Sequence, residues 1–287
     1  METVWLTDNT NAEKGVAMLL GGFDGLHVGH RRLLSRAKQS GLPVGVITII
    51  GGKDGNIFTF AERERIFKEN GADFVVEFPF AAIKDMSPTD FLQLLIKKFN
   101  PSLFVCGEDF RFGAGAKGTP EMIKASTQVR VEILSLVEMC GEKISSRTIK
   151  ELLRQGEVEQ ANLLLGEEFF LCGKVEKDRQ VGRTIGFPTA NIPYPQDKFP
   201  LKKGVYATKV KVDGKEYKGI TNYGARPTFD NDKVVTETYL DGFSGDLYGK
   251  ELTVRFVKYL RDVTKFASVD GLKAQLNEDI RRVRDYD

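Results

Sequence analysis

Two kinds of periodicity divide the chain. Through its first half, five short apolar or β-branched runs recur: VAMLL (16–20), VGVITII (44–50), DFVVEF (73–78), SLFVCG (102–107) and VRVEIL (129–134). Runs this short, with little polar alternation, are the pattern of strands buried on both faces. Between them lie stretches of helical spacing. HRRLLSRAKQSG (30–41) sets Leu33, Leu34 and Ala37 on one side and stops at Gly41, a helix-closing residue. SPTDFLQLLIKKF (87–99) opens with Ser87 as N-cap, Pro88 in the first turn and Asp90 at the capping-box position. Strands alternating with helices of this length predict a parallel sheet covered on both faces, a doubly wound α/β fold.

Past residue 145 the pattern stays helical through ISSRTIKELLRQGEVEQANLLLG (144–166), with Gly156 dividing it into two short helices. From about Phe169 the character changes. FFLCGKVE (169–176), GVYATKVKV (204–212), KEYKGITNYG (215–224), VVTETYLDGF (234–243) and ELTVRFVKYLRD (251–262) read as strands, several of them alternating. Asp213-Gly214 between two of them is a two-residue hairpin signal. No helix-length pattern returns until SVDGLKAQLNEDIRRVRDY (268–286). The second half is therefore expected to be an antiparallel β-barrel with a C-terminal helix. The boundary falls near Gly166, giving domains over 1–166 and 167–287.

A chain of 287 residues can bury two such cores without disulfides. Its net charge of +2 gives no reason to expect nucleic acid or a membrane as partner. Cys106, Cys140 and Cys172 are far apart and lack C-x-x-C spacing, which argues against a disulfide framework or a cysteine zinc site and fits a reducing compartment. METVWLTDNTNAEKG (1–15) places polar and acidic residues before the first apolar run, unlike a signal peptide, and no apolar run approaches the ~20 residues that span a bilayer. A soluble cytoplasmic protein with small-molecule partners is expected. The oligomeric state stays open.

The candidate chemistry begins at GGFDGLHVGH (21–30), which holds both histidines of the chain. It lies at the first strand-to-helix turn, where Gly21, Gly22 and Gly25 are expected to let the backbone bend close to a ligand. The helix that follows directs its N–H groups and positive dipole end above the sheet. His27 and His30, three apart, share one helix face, so the segment reads as a phosphate site. Zinc is disfavoured because no third histidine exists. Gly113, Gly115 and Gly118 form a G-x-G-x-x-G, yet they follow the fourth strand, not the first as a dinucleotide fingerprint requires.

H-x-G-H at this turn resembles the signature of the nucleotidylyltransferase superfamily, in which both histidines stabilise charge on phosphates. GRTIGFPTANI (182–192) resembles the riboflavin kinase signature, and GVYAT (204–208), NYGARPTF (222–229), ETYLDGFSGDLYGKEL (237–252) and FVKYLRD (256–262) follow in order. With CGEDFRFG (106–113) and ISS (144–146), the whole chain resembles the bifunctional riboflavin kinase/FMN adenylyltransferase family, the prokaryotic FAD synthetases. The resemblance implies a Rossmann-like nucleotidylyltransferase domain followed by the kinase barrel. Riboflavin, FMN and ATP are the implied substrates, with Mg²⁺ as the metal. It implies Glu237 as base toward the riboflavin hydroxyl, with Gly182 and Arg183 in a loop over the ATP phosphates. Thr189 and Asn191 would hold Mg²⁺ and phosphate, and Asn222 and Arg226 would lie near the phosphates and the flavin chain. In the first domain it implies Phe23, Gly25, His27 and His30 at the ATP site, joined by Ser145 and Ser146, with Asp109, Phe110 and Arg111 facing the flavin phosphate. Phe112 reads equally well as core.

Two departures fall in the first half. The family's T-F-x-P-H-P after the second strand is replaced within VITIIGGKDGNIF (46–58), and I-S-S-T-x-I-R reads ISSRTIK, with Lys150 for the arginine. Lysine keeps the charge and loses the bidentate fork. Two readings follow: an enzyme with both activities, or a riboflavin kinase whose first domain is a weakened or regulatory nucleotide- or flavin-binding module; a more distant third is an adenylyl- or cytidylyltransferase for another phosphate ester.

Overall fold

The computed structural model describes residues 2–5, 15–51, 55–139, 141–177, 182, 185–225 and 234–286. The chain divides into two compact units, Met1–Thr148 and Ile149–Asp287.

The first unit is built on a six-stranded sheet. Its elements are β1 (Glu2–Trp5), β2 (Val16–Leu20), α1 (Val28–Lys38), β3 (Val44–Ile50), α2 (Phe60–Glu69), β4 (Phe74–Pro79), α3 (Phe80–Ile83), α4 (Pro88–Phe99), β5 (Pro101–Gly107), α5 (Pro120–Ser126) and β6 (Arg130–Leu134). A small hairpin follows, β7 (Glu138–Met139) with β8 (Glu142–Lys143). The sheet order is β1-β4-β3-β2-β5-β6, parallel except for β1, which runs antiparallel to β4. All five residues of the central strand β2 are buried. Val16, Met18 and Leu20 meet Phe91, Leu92 and Leu95 of α4 in the main core cluster. α1 packs on β2, β3 and β5, burying Leu33, Leu34 and Ala37. The chain leaves β2 toward β3 on one side and reaches β5 on the other, so right-handed crossovers put α1 and α4 on opposite faces. The reversal of strand order opens a crevice beyond the carboxyl ends of β2 and β5, the place where such sheets bind ligands.

The second unit takes in two helices that the sequence pattern leaves before Gly166. α6 (Ser146–Gln155) runs into it, and α7 (Val158–Leu165) follows a break at Gly156, where φ is +86°. Asn162 pins α7 to the barrel: its amide donates to Phe256 O at 2.8 Å and its oxygen accepts from Phe169 N at 2.7 Å. Six antiparallel strands are β9 (Phe169–Lys174), β10 (Thr189–Pro193), β11 (Gly204–Val212), β12 (Lys215–Ala225), β13 (Val234–Leu240) and β14 (Glu251–Arg261), in the order β10-β13-β12-β11-β14-β9. Glu176 N donates to Asn191 O at 2.9 Å, bridging the two ends of the sheet toward closure. Two register irregularities between β11 and β14 supply bending. The β11–β12 turn is made by Asp213 and Gly214, both left-handed at φ +47° and +84°.

Alternation along the strands separates two faces. One carries Tyr206, Thr208, Thr221 and Thr238, all buried, with the three threonine hydroxyls linked at 2.9 Å steps so that each has a partner. The other is covered by α8 (Val269–Arg284), whose Ile280 and Val283 pack on Val205, Ala207 and Ile220. A fully buried carboxylate, Asp279, anchors this helix through a forked pair with Arg261 of β14, and accepts from Gln275 as well. Removing one member of a buried pair strands the other's charge. Asp279→Asn is therefore expected to cost about 3 kcal/mol, read as an earlier urea midpoint of the barrel's unfolding transition.

Candidate functional site

In the first unit, the β2–α1 turn brings the two histidines together. His27 is the N-cap of α1, and its Nδ1 accepts from His30 N at 3.2 Å. The His30 Nδ1 proton is donated to Gly25 O at 2.7 Å. The rings stack, with centroids 3.5 Å apart and planes inclined by 16°. These bonds set the tautomers: neutral His27 carries its proton on Nε2, and neutral His30 keeps Nε2 as an acceptor.

The bend is not made as the glycines suggest. Phe23 itself takes the left-handed conformation, at φ +38°, whereas Gly21, Gly22 and Gly25 are not left-handed. Gly21 instead leaves room for the Phe23 ring, which a Cβ there would approach to 2.8 Å. Phe23 is fully buried and its ring backs His30 at 4.3 Å between centroids. Thr48 of β3 donates to Phe23 O at 3.2 Å and accepts from the buried Arg63, tying the strained turn to the neighbouring strand.

Burial, then the adjacent His30 and the Lys143 charge, pushes the His27 imidazole down to about 2. Burial pushes His30 down to about 4, against the opposing pull of the Gly25 carbonyl and Asp109. Both rings are neutral in the free protein at pH 7. In an unfolded chain each titrates near 6.5, so below that pH the unfolded state binds more protons and stability falls. The loss is expected to reach about 2 kcal/mol per histidine between pH 6.5 and 5. Thermal denaturation followed from pH 7.5 to 5 checks it, with the slope reduced in His27→Asn and His30→Gln.

The loop after β5 and the segment leading to α6 bring charges to the histidine pair, Asp109 acting on His30 and Lys143 on His27. Asp109 pairs with Lys143, both half exposed. Phe110 stacks on Phe112 at 5.4 Å and packs against the core, and Arg111 is exposed, donating to Glu108 O and Phe110 O. Phe112 is buried core. Ser145 is spent locally, its hydroxyl 2.9 Å from Thr148 Oγ1 and accepting from Thr148 N; Ser146 is partly buried at the start of α6. Two of the G-x-G-x-x-G glycines serve packing: a Cβ at Gly113 would meet Pro88 N at 2.7 Å, and one at Gly118 the Phe112 ring at 2.8 Å.

In the second unit, the PTAN segment (188–191) runs into a strand. Thr189 opens β10, and register then sets Asn191 opposite Glu237, with Glu237 opposite Asn222 on the next strand. The three side chains form one row on the face that α8 partly covers. Among the described residues, Asn191 Oδ1 and Asn222 Oδ1 are both buried and find no hydrogen-bond partner, on either side of Glu237. Buried amide oxygens are seldom left so. Oxygen acceptors flanking a carboxylate suit a hard cation and a hydroxyl donor.

Thr189 and Asn191 also line a cavity of about 490 Å³, completed by Pro188 and a wall from Phe243 to Tyr248. Gly182 comes close as well: a Cβ there would sit 3.5 Å from Thr189 Oγ1, and its carbonyl accepts from Phe187 N at 2.8 Å. Arg183 and Arg226 lie outside the described residues. The cavity wall lies within ETYLDGFSGDLYGKEL (237–252), which carries the resemblance without a site role; its DGFSGDLYG (241–249), dense in turn residues between two strands, marks a long connection at a barrel rim.

A family model for riboflavin kinase matches residues 165–286, and one for FAD synthetase matches residues 9–148. The chain is 34% identical to a bifunctional riboflavin kinase/FMN adenylyltransferase of Escherichia coli, over 96% of this chain and 93% of that one. To the protein of the same description from Listeria monocytogenes it is 31% identical, over 100% and 98%. A solved structure from Streptococcus pneumoniae, described as a macrolide-efflux protein, superposes with a TM-score of 0.86 at 31% identity, covering 95% of each chain. Among the described residues, no helix is long and apolar enough to cross a membrane.

The two matched models define a class, a transferase that carries an FAD synthetase unit and a riboflavin kinase barrel in one chain. Identity across nearly the full length narrows it: the chain belongs to the bifunctional riboflavin kinase/FMN adenylyltransferase family.

Proposed function

We propose that the chain carries out two successive transfers, riboflavin to FMN in the barrel and FMN to FAD in the α/β unit, with ATP as donor in both. The observation that carries the first is the Asn191–Glu237–Asn222 row beside the cavity that Thr189 and Asn191 line. ATP occupies that cavity with its phosphates toward Thr189. The riboflavin 5′-hydroxyl, aligned by Asn222, attacks the γ-phosphate; Glu237 accepts its proton, and ADP leaves. The unpartnered Asn191 oxygen and the Thr189 hydroxyl fit Mg²⁺, which when bound offsets charge on the phosphates.

The second transfer needs no base. A phosphate monoester has its second pKa near ~6, so FMN is already an anionic nucleophile at neutral pH. Its oxygen attacks the ATP α-phosphate and pyrophosphate leaves. His27 offers its Nε2 proton to the phosphate oxygens, and His30 gains a proton at Nε2 as the triphosphate's charge draws near. Rings stacked at 3.5 Å oppose a second charge, so one imidazolium and one neutral donor make the working pair. Gly25 holds His30, and the Ser145–Thr148 pair with Ser146 orders the α6 start near the nucleotide.

Purified protein incubated with MgATP and riboflavin, and separately with MgATP and FMN, tests both steps by chromatographic resolution of the flavins. FMN and FAD are expected from riboflavin, and FAD from FMN. Absence of FAD in both incubations removes the second activity.

A further inference from the structure

The β7–β8 hairpin has no part in the sheet, yet it is held firmly beside the histidines. Leu136 N donates to Glu108 Oε1 at 2.9 Å and Ile144 N to Val137 O at 3.1 Å, fixing both ends. Val137 lies over the start of α1: a Cβ on Gly29 would come 3.2 Å from the His27 ring and 4.0 Å from Val137 Cβ. Glycine between the histidines thus leaves room for the His27 ring, with Val137 of the hairpin segment at ordinary contact distance. The hairpin ends on Lys143, whose ammonium pairs with Asp109 from the loop after β5. The Lys143 charge is felt at His27 and the Asp109 charge at His30, so all four groups share the crevice.

Lys150, at the position of the family's arginine, has its ammonium 5.5 Å from the Phe199 ring centroid, and Arg154 stacks on the same ring at 5.1 Å. Lys143 is by contrast a half-exposed cation whose charge is felt at His27 and whose ammonium pairs with a carboxylate that is itself half exposed. An exposed pair of this kind contributes little stability and is readily exchanged for a better anion.

We propose that Lys143 is a further phosphate-binding residue of the adenylyl-transfer site, its ammonium kept on Asp109 until a substrate phosphate takes that carboxylate's place. The proposal rests on the reading of this crevice as the adenylyltransferase site. Phosphate is the shared chemistry of two sources, the ATP triphosphate with its pyrophosphate product and the FMN monoester. The ion pair also orients the lysine before substrate arrives, so little side-chain freedom is lost on binding.

Lys143→Met and Lys143→Arg test it in the full-length protein, with riboflavin phosphorylation by the same samples as internal control. Lys143→Met is expected to lower kcat/KM for FMN adenylylation about 10- to 100-fold, the range of one charge-assisted hydrogen bond. Lys143→Arg is expected to recover most of that, and FMN formation to stay within about twofold. If the ammonium meets the triphosphate, KM for ATP and the inhibition constant of magnesium pyrophosphate rise together. If it meets the monoester, KM for FMN rises alone. Parent-like adenylylation by Lys143→Met overturns the proposal. So does a fall in kcat with both KM values and pyrophosphate inhibition unchanged, the signature of a clasp that only shapes the loop. A parent protein that makes no FAD from FMN defeats the underlying reading instead.

Discussion

Replacing His27 by asparagine is expected to lower kcat/KM for FMN adenylylation by 10²–10³-fold, on the order of 3–4 kcal/mol, while riboflavin phosphorylation stays at the parent level. The substitution is chosen because His27 does two things. Its Nδ1 caps α1 by accepting from His30 N, and its Nε2 is the donor assigned to phosphate. Asparagine is among the best N-cap residues, so its side-chain oxygen preserves the cap, worth about 1 kcal/mol, and only the donor is lost. An alanine variant removes both and confuses a frayed helix with a lost donor. His30→Gln is expected to act on the same scale, and the double variant by less than the product of the two, because the stacked rings act as one unit. Initial rates of FAD formation at saturating and limiting ATP decide it. Parent-rate FAD from His27→Asn removes the histidine pair from the mechanism.

Glu237→Gln is expected to suppress FMN formation by 10²–10⁴-fold and leave FMN-to-FAD conversion intact. Glutamine keeps the length and shape of the side chain within β13, so the register against Asn191 and Asn222 is retained while the proton acceptor is lost. Binding of ATP in the cavity, which Glu237 does not line, is expected to change little, placing the loss in kcat. The two half-reactions assayed on one sample give the answer. A parallel fall in both activities contradicts separate sites, and an undiminished kinase leaves Glu237 without its role.

The caps, turns and pairings show what range of signal the sequence carries. Ser87 and Ser268 begin helices where the pattern places them, and Asp213-Gly214 turns the chain between strands as that dipeptide predicts. α2 carries a local mark of the same kind: Thr59 and Glu62 form a reciprocal capping box with T-x-x-E spacing. β1 had no such mark. Four residues at a sheet edge are made a strand only by the partner they find in β4. β10 is unmarked for a similar reason, because it is short and ends at Pro193, and its pairing with β13 supplies the missing definition.

The sequence by itself determined the alternation of strands and helices, the barrel after it, and the meeting of His27 with His30. Each depends on steric preferences or hydrogen bonds within a few residues, and residues three apart at a helix start meet wherever that helix is placed. Only the tertiary structure decided that Asn191, Glu237 and Asn222 stand in one row, that Phe23 rather than a glycine makes the bend, and that Lys143 reaches Asp109. Strand register is fixed by which faces of whole strands become buried together, and a shift of one residue would turn Glu237 to the opposite face. No local stretch contains that information, because the free energy that selects it is summed over the sheet.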